Sequence, residues 1–149
     1  MQLSEYLDKD LIVAELNSSS KPEVLAELLA PLGGKYPHLD LKSVLAILMD
    51  RESLGSTGIG DGVAIPHGKL DNLERVIVAV GRSQEGVDFQ SLDHKPARIF
   101  FLVLAPEQVA GMHLRILATV SRLLQDTVFR QEFLDAPGCD ALWDMLRKV

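Results

Sequence analysis

One stretch limits the choice of fold more than any other. In RIFFLVLAP, Arg98 to Pro106, the residues Ile99 to Ala105 form the longest apolar run of the chain. A helix that crosses a bilayer needs about 20 predominantly apolar residues, so this run is far too short to span a membrane. Its β-branched and aromatic residues predict the strongest strand of the protein. Arg75 to Val80 predicts a second strand, Val63 to Ile65 a brief one, and Leu11 to Leu16 a short one near the start. Asp93-His94-Lys95-Pro96 supplies a turn ahead of the strongest strand.

Between these strands the apolar spacing becomes helical. Ser20-Lys21-Pro22-Glu23 has the form of a capping box with an early proline. Val24, Leu25, Leu28 and Leu29 follow on one face, and Gly33-Gly34 is the expected stop. A second helix is predicted from Asp40 through Leu41, Val44, Leu45 and Leu48 to Asp50-Arg51-Glu52. A third opens near Gly111 and carries His113, Leu117, Val120 and Leu124 at helical spacing. Two shorter helices, opening at Asp126 and Asp140, are separated by Ala136-Pro137-Gly138. No repeat, low-complexity tract or linker stands out. Residues 1–149 are expected to form one α/β domain, a mixed central sheet flanked by helices.

Charge and cysteine content narrow the function classes. The formal net charge of −6 argues against a nucleic-acid binder, which normally carries a basic stripe. The single cysteine, Cys139, cannot form an internal disulfide, which suits a reducing compartment. MQLSEYLDKD has no basic start followed by an apolar stretch, so no signal peptide is read there and a cytoplasmic location is expected.

The segment GSTGIGDGVAIPHGKL places Gly55, Gly58, Gly60 and Gly62 ahead of an Ile65-Pro66-His67 corner. It fails as a nucleotide loop. A phosphate-binding P-loop ends in Gly-Lys-Ser/Thr, and here Gly68-Lys69 is followed by Leu70. A dinucleotide fingerprint needs a third glycine where Val63 stands, and a strand before the loop in place of a helix. The loop makes better sense as a mount for His67. Ile65, preceding proline, is driven toward an extended conformation, and Pro66 fixes its own φ and lacks an amide donor. Pro66 is therefore expected to end strand pairing and hold the imidazole stiffly at a strand end. From the residues alone, His67 is either a reactive group or an ordinary loop histidine satisfied by a carbonyl.

The wider segment MDRESLGSTGIGDGVAIPHGKL, Met49 to Leu70, closely resembles the active-site signature of type-2 EIIA domains of the bacterial sugar phosphotransferase system. This is the fructose/mannitol and nitrogen-regulatory class. VGRSQEGVDF, DHKPARIFFLVLAP and HLRILATVSRLLQD follow in the family's order, so the resemblance runs from end to end. It implies that His67 is a phosphorylated nucleophile, receiving its phosphoryl group from an HPr-like phosphocarrier protein. A neutral imidazole nitrogen can attack phosphorus at ordinary pH. The resemblance implies no metal and no cofactor for this step.

Two supporting residues carry over by position. Arg51 matches the family's arginine before the glycine loop, where a guanidinium could clamp phosphoryl oxygens. The alternative for Arg51 and Glu52 is a solvated helix end. His113 matches the histidine at the head of the family's long helix. There the dipole disfavours a protonated ring and favours an anion, so neutral His113 would donate to the phosphoryl group without carrying it. Ser56, Thr57 and Gly58 are candidate supports of the phosphate loop, and the two hydroxyls could equally stabilise the loop itself. Asp61 reads as a turn residue, Ile59 as an apolar docking residue and His38 as exposed. His94 stands where the family is expected to have glycine or another small residue.

The branch is less constrained. AVGRSQEG and HLRILATVSRLLQD resemble the nitrogen-regulatory members, which control target proteins according to phosphorylation state. A chain from Met1 to Val149 without a fused EIIB or membrane part is expected of that branch. The alternative is a separate sugar-specific EIIA that passes the group to an EIIB. Two other classes compete: a binding module that no longer cycles phosphate, and a metal hydrolase using His67, His94 and His113. The second lacks any short-spaced ligand pair.

Overall fold

The apolar run owes its composition to burial on both faces. A computed structural model describes residues 2–108 and 111–149. Two 3-10 turns, Leu3–Tyr6 and Lys9–Leu11, lead into β1 (Ile12–Val13), α1 (Lys21–Leu29), α2 (Leu32–Lys35) and α3 (Leu41–Ser53). Then come β2 (Gly58–Gly60), β3 (Val63–Ala64), β4 (His67–Leu70), β5 (Ile77–Val87) and β6 (Ala97–Pro106). Three helices close the chain: α4 (Met112–Leu123), α5 (Thr127–Asp135) and α6 (Cys139–Leu146).

Among the described residues the strands form a six-stranded sheet in the order β1-β5-β6-β3-β2, with β4 also paired to β6. The β5–β6 and β2–β3 pairs are antiparallel and the others parallel. Phe100, Leu102 and Leu104 of β6 join the core under α1 and α3, together with Leu25, Leu28 and Leu48. Ile99, Phe101 and Val103 join the core under the last three helices, with Ile116, Val120, Phe133 and Leu142. The protein is thus a single domain of three layers, the mixed sheet lying between two sets of helices. Each fully buried leucine or phenylalanine contributes about 1.5–3 kcal/mol relative to exposure.

Helix starts follow the sequence signals. Asp40 accepts from Lys42 N–H at 3.2 Å, and Asp126 accepts from Val128 and Phe129 N–H at 2.9 and 3.3 Å. Ser20 caps differently: its hydroxyl donates to Glu23 Oε1 at 2.7 Å and makes no side-chain bond to the helix backbone.

Four local expectations need correction. The strand predicted over Leu11 to Leu16 shrinks to Ile12–Val13. Beyond it the chain stays beside β5 through Leu16 N–H donating to the Arg82 carbonyl at 2.8 Å, and through Arg82 Nε–H donating to the Ala14 carbonyl at 3.1 Å. Gly33 and Gly34 do not stop α1. It ends at Leu29, and Pro31, with φ −64°, starts a new turn in which both glycines are helical behind fully buried Leu32. The strand predicted to stop at Val80 continues to Val87. Arg82, in the added stretch, is 2% exposed because the guanidinium donates to the Phe133 and Ala136 carbonyls at 2.9 and 2.6 Å.

The fourth correction bears on the site. Pro66 interrupts pairing without ending it. Val63 and Ala64 of β3 lie beside Ile99 and Phe100, and His67 to Leu70 of β4 lie beside Val103 to Pro106. Pro66 has no N–H to give, but its carbonyl accepts from Val103 N–H at 2.9 Å. Pairing therefore resumes at His67, the first residue of a strand.

Candidate functional site

β4 pairs with β6 alone among the described residues, so His67 stands at an edge of the sheet. Alternation along β4 sends Gly68 and Leu70 to one face and His67 and Lys69 to the other. A Cβ on Gly68 would lie 3.0 Å from Ile47 Cγ2, which shows how closely α3 crosses that face. Two helix ends from opposite layers therefore converge on His67: the last turn of α3, carrying Arg51, and the first turn of α4, carrying His113.

The imidazole is half-buried and both of its nitrogens are engaged. Nδ1 lies 2.9 Å from the Ile65 carbonyl, and Arg51 Nε–H donates to Nε2 at 3.3 Å. A carbonyl only accepts, so the proton of the neutral ring belongs on Nδ1 and the lone pair on Nε2. Arg51 is itself braced by donating from Nη1 to the Gly55 carbonyl at 2.9 Å. The His113 ring centroid lies 5.6 Å from that of His67. His113 follows Gly111, whose φ of 88° turns the chain into α4.

Both imidazoles hold protons less readily than a free histidine. For His67 the main cause is burial, reinforced by the Arg51 guanidinium and opposed by the bond to Ile65. For His113 it is again burial, with His67 and Lys69 adding to it. Ile47, Asp50, Arg51, Leu54, His67, Lys69 and His113 line an open cleft of about 580 Å³. This place offers an uncharged nucleophilic nitrogen, a fixed guanidinium and exposed Lys69 within one concavity.

The other candidates are distributed as follows. Thr57 is buried, and its hydroxyl and N–H both donate to Glu52, the latter at 3.1 Å. The Ser56 hydroxyl donates to the Phe89 carbonyl at 3.3 Å and accepts from Gly58 N–H at 3.1 Å. Both hydroxyls thus fasten the loop, away from the lining of the cleft. Gly58 is needed for close approach, since a Cβ there would sit 2.2 Å from Ser91 Oγ and 2.9 Å from its Cα. Ile59 is 48% exposed, and Leu54, on the rim of the cleft, 84%. Asp61 occupies the β2–β3 turn with φ 57°.

His38 is exposed, with Nε2 3.3 Å from the Asn72 carbonyl. His94 has φ 61° in an exposed turn, a conformation that suits glycine and gives the physical reason a small residue is expected there. It does not line the cleft. Among the described residues no group of three or more His, Cys, Asp or Glu is placed to hold a metal ion.

Sequence reasoning missed two charged residues beneath the site. The Glu52 and Lys21 side chains are only 2% and 8% exposed, and Lys21 Nζ lies 2.9 Å from Glu52 Oε1. Lys21 also sits 4.8 Å over the Phe89 ring. Glu52 is therefore no solvated helix end. The signal was present: Glu52 continues the four-residue spacing of Val44 and Leu48, the buried stripe of α3.

Comparison with known proteins agrees with this architecture. Residues 5–149 match the family described as phosphoenolpyruvate-dependent sugar phosphotransferase system, EIIA 2. The chain is 34% identical to a nitrogen regulatory protein of Bradyrhizobium diazoefficiens over 98% of its own length and 95% of that protein. It is 35% identical to the fructose-specific EIIABC component of the Bacillus subtilis phosphotransferase system, over 99% of this chain but 23% of that much longer protein. The crystal structure of nitrogen regulatory protein IIA-Ntr from Neisseria meningitidis superposes with a TM-score of 0.89 at 30% identity, covering 97% of this chain and 98% of that one. No helix among the described residues is long and apolar enough to cross a membrane. The chain belongs to the type-2 EIIA family, the phosphoryl carriers of the sugar phosphotransferase system.

Proposed function

We propose that this chain accepts a phosphoryl group on Nε2 of His67 from an HPr-like phosphocarrier protein and, according to its phosphorylation state, regulates target proteins in the nitrogen-regulatory manner. The observation that carries this reading is the hydrogen bond between His67 Nδ1 and the Ile65 carbonyl, which leaves the Nε2 lone pair directed to Arg51, a residue of the same cleft lining. Nε2 attacks phosphorus as the bond to the donor's ring nitrogen breaks, its electron pair returning to the donor ring. The charge gained by the His67 ring is stabilised through Nδ1–H and Ile65. Arg51 turns from Nε2 to the phosphoryl oxygens, and neutral His113 donates to them from the positive end of α4. The group then remains on a ring reactive enough to pass it on, with no cofactor or metal required.

Charge-assisted bonds of this kind are worth about 1.5–3 kcal/mol. Arg51→Ala should therefore slow transfer about ten- to a hundredfold, read by quench-flow labelling from phosphorylated carrier. A rate within twofold of the unaltered protein would remove Arg51 from the mechanism.

The depressed proton affinity gives a second expectation. A histidine whose folded pKa lies below its ordinary value of 6.5 stays neutral as pH falls through 6.5. Transfer to His67 should hold level down through that pH and decline only below it. A decline centred above 6.5 would contradict the environment described for the ring.

The nitrogen-regulatory assignment draws support from end-to-end similarity to the Neisseria and Bradyrhizobium proteins. Its rival, delivery to an EIIB for uptake of a fructose-type sugar, draws on comparable identity to the Bacillus fructose component. Incubating phosphorylated protein with EIIB domains separates the two. Rapid transfer to an EIIB supports the sugar reading, and retention of the label supports the regulatory one.

A further inference from the structure

A single hydrogen-bonded path runs beneath the site and reaches both of its principal residues. Glu52 accepts three hydrogen bonds from the loop: its Oε1 takes Thr57 N–H at 3.1 Å, its Oε2 takes the Thr57 hydroxyl, and its main-chain carbonyl takes Gly55 N–H at 3.1 Å. Lys21 holds the carboxylate from the other side at 2.9 Å. From Thr57 the path divides. Two residues back, the Gly55 carbonyl holds Arg51 Nη1. In the other direction the Thr57 carbonyl accepts from Ile65 N–H at 3.0 Å, and the Ile65 carbonyl is the partner of His67 Nδ1 at 2.9 Å.

We infer that Glu52 and Thr57 are positioning residues, which set Arg51 against Nε2 of His67 by clamping the loop that binds both side chains. The inference rests on the reading of His67 as the phosphoryl acceptor and adds how its geometry is held. Neither residue lines the cleft, so neither touches the phosphoryl group. They act because a rigid buried carboxylate fixes the two carbonyls that orient the reacting ring and its cation. A stabilising pair elsewhere in the core would lower the population of folded protein when broken. This one would also alter the site within the folded state.

Thr57→Val, which keeps the side-chain shape and deletes the hydroxyl, is the test, with Thr57→Ser as the rescue and Leu142→Ala, in the opposite helix layer, as a remote destabilised control. Each is assayed well below its own melting temperature for labelling by phosphorylated HPr and for the ¹⁵N resonance of His67 Nε2 in unphosphorylated protein. Thr57→Val is expected to lower kcat about tenfold while KM for HPr stays within twofold, and to move the Nε2 resonance as the Arg51 bond weakens. Thr57→Ser should restore both, and Leu142→Ala should change neither. If Thr57→Val does not fold, Thr57→Ala, which lets water reach the freed carboxylate, carries the same expectation. Unaltered kcat with an unaltered resonance would overturn the inference, as would equal changes in Leu142→Ala. Lack of any label in the unaltered protein would instead refute the acceptor reading, and the resonance comparison would still decide the positioning role.

Discussion

His67→Ala should carry no acid-labile phosphate after incubation with phosphoenolpyruvate, the first enzyme of the system and its phosphocarrier protein, under conditions that label the unaltered chain fully. The effect is the largest expected, because the substitution deletes the atom that the proposed function makes the phosphoryl acceptor. It should leave the fold intact. His67 is half-buried at an edge of the sheet, and β4 keeps its backbone pairing to β6, including Pro66 to Val103. On the proposed reading His113, in the first turn of α4 with its ring centroid 5.6 Å from that of His67, donates to the phosphoryl group without carrying it and should not take over as acceptor. Urea denaturation alongside the labelling assay separates loss of the acceptor from loss of structure. Label persisting near the original level in folded His67→Ala would place the acceptor elsewhere.

The second large effect is on stability. Lys21→Met leaves the Glu52 carboxylate buried without its cation, and breaking a buried pair in this way costs about 3–5 kcal/mol. Methionine preserves helix propensity and much of the contact with Phe89, so the loss reports the uncompensated charge. In a domain of this size the melting temperature should fall by about 6–20 °C. The double variant Lys21→Met/Glu52→Leu should recover much of that stability, since apolar replacement of a buried pair is often neutral or better. It would still lack the carboxylate that binds Thr57. A loss below about 1 kcal/mol for Lys21→Met would show that water reaches Glu52 and that the pair is in effect a surface one.

The parts of the fold that were legible in the sequence share a cause: they are set by one local signal. The apolar run of β6 announces the strongest strand, and Asp40 and Asp126 announce helix starts through their own side chains. What stayed hidden depends on distant partners. The strand predicted to stop at Val80 runs on through Arg82 because the Phe133 and Ala136 carbonyls, far along the chain, receive its guanidinium. Pro66 signalled a stop. The ladder resumes at His67 because a proline carbonyl still accepts, which only the position of Val103 reveals.

The site divides in the same manner. The Ile65-Pro66-His67 corner marks His67 as a candidate and the resemblance adds its role with Arg51 and His113; the structure brings all three to one cleft from β4, α3 and α4. Ser56 and Thr57 were recognisable as hydroxyls in the right loop, but their direction was not. Thr57 turns inward to Glu52 and Ser56 toward Phe89. Lys21 and Glu52 were passed over because charged residues at helix ends usually face water. Their positions on the apolar stripes of α1 and α3 marked them as buried.

Nitrogen-15 and phosphorus-31 spectroscopy of the phosphorylated protein, labelled at histidine, probes the heart of this account. One phosphoryl group should be found on Nε2 of His67, with Nδ1 of the same ring still protonated and hydrogen-bonded. Phosphorus on Nδ1, or on any residue other than His67, would contradict it.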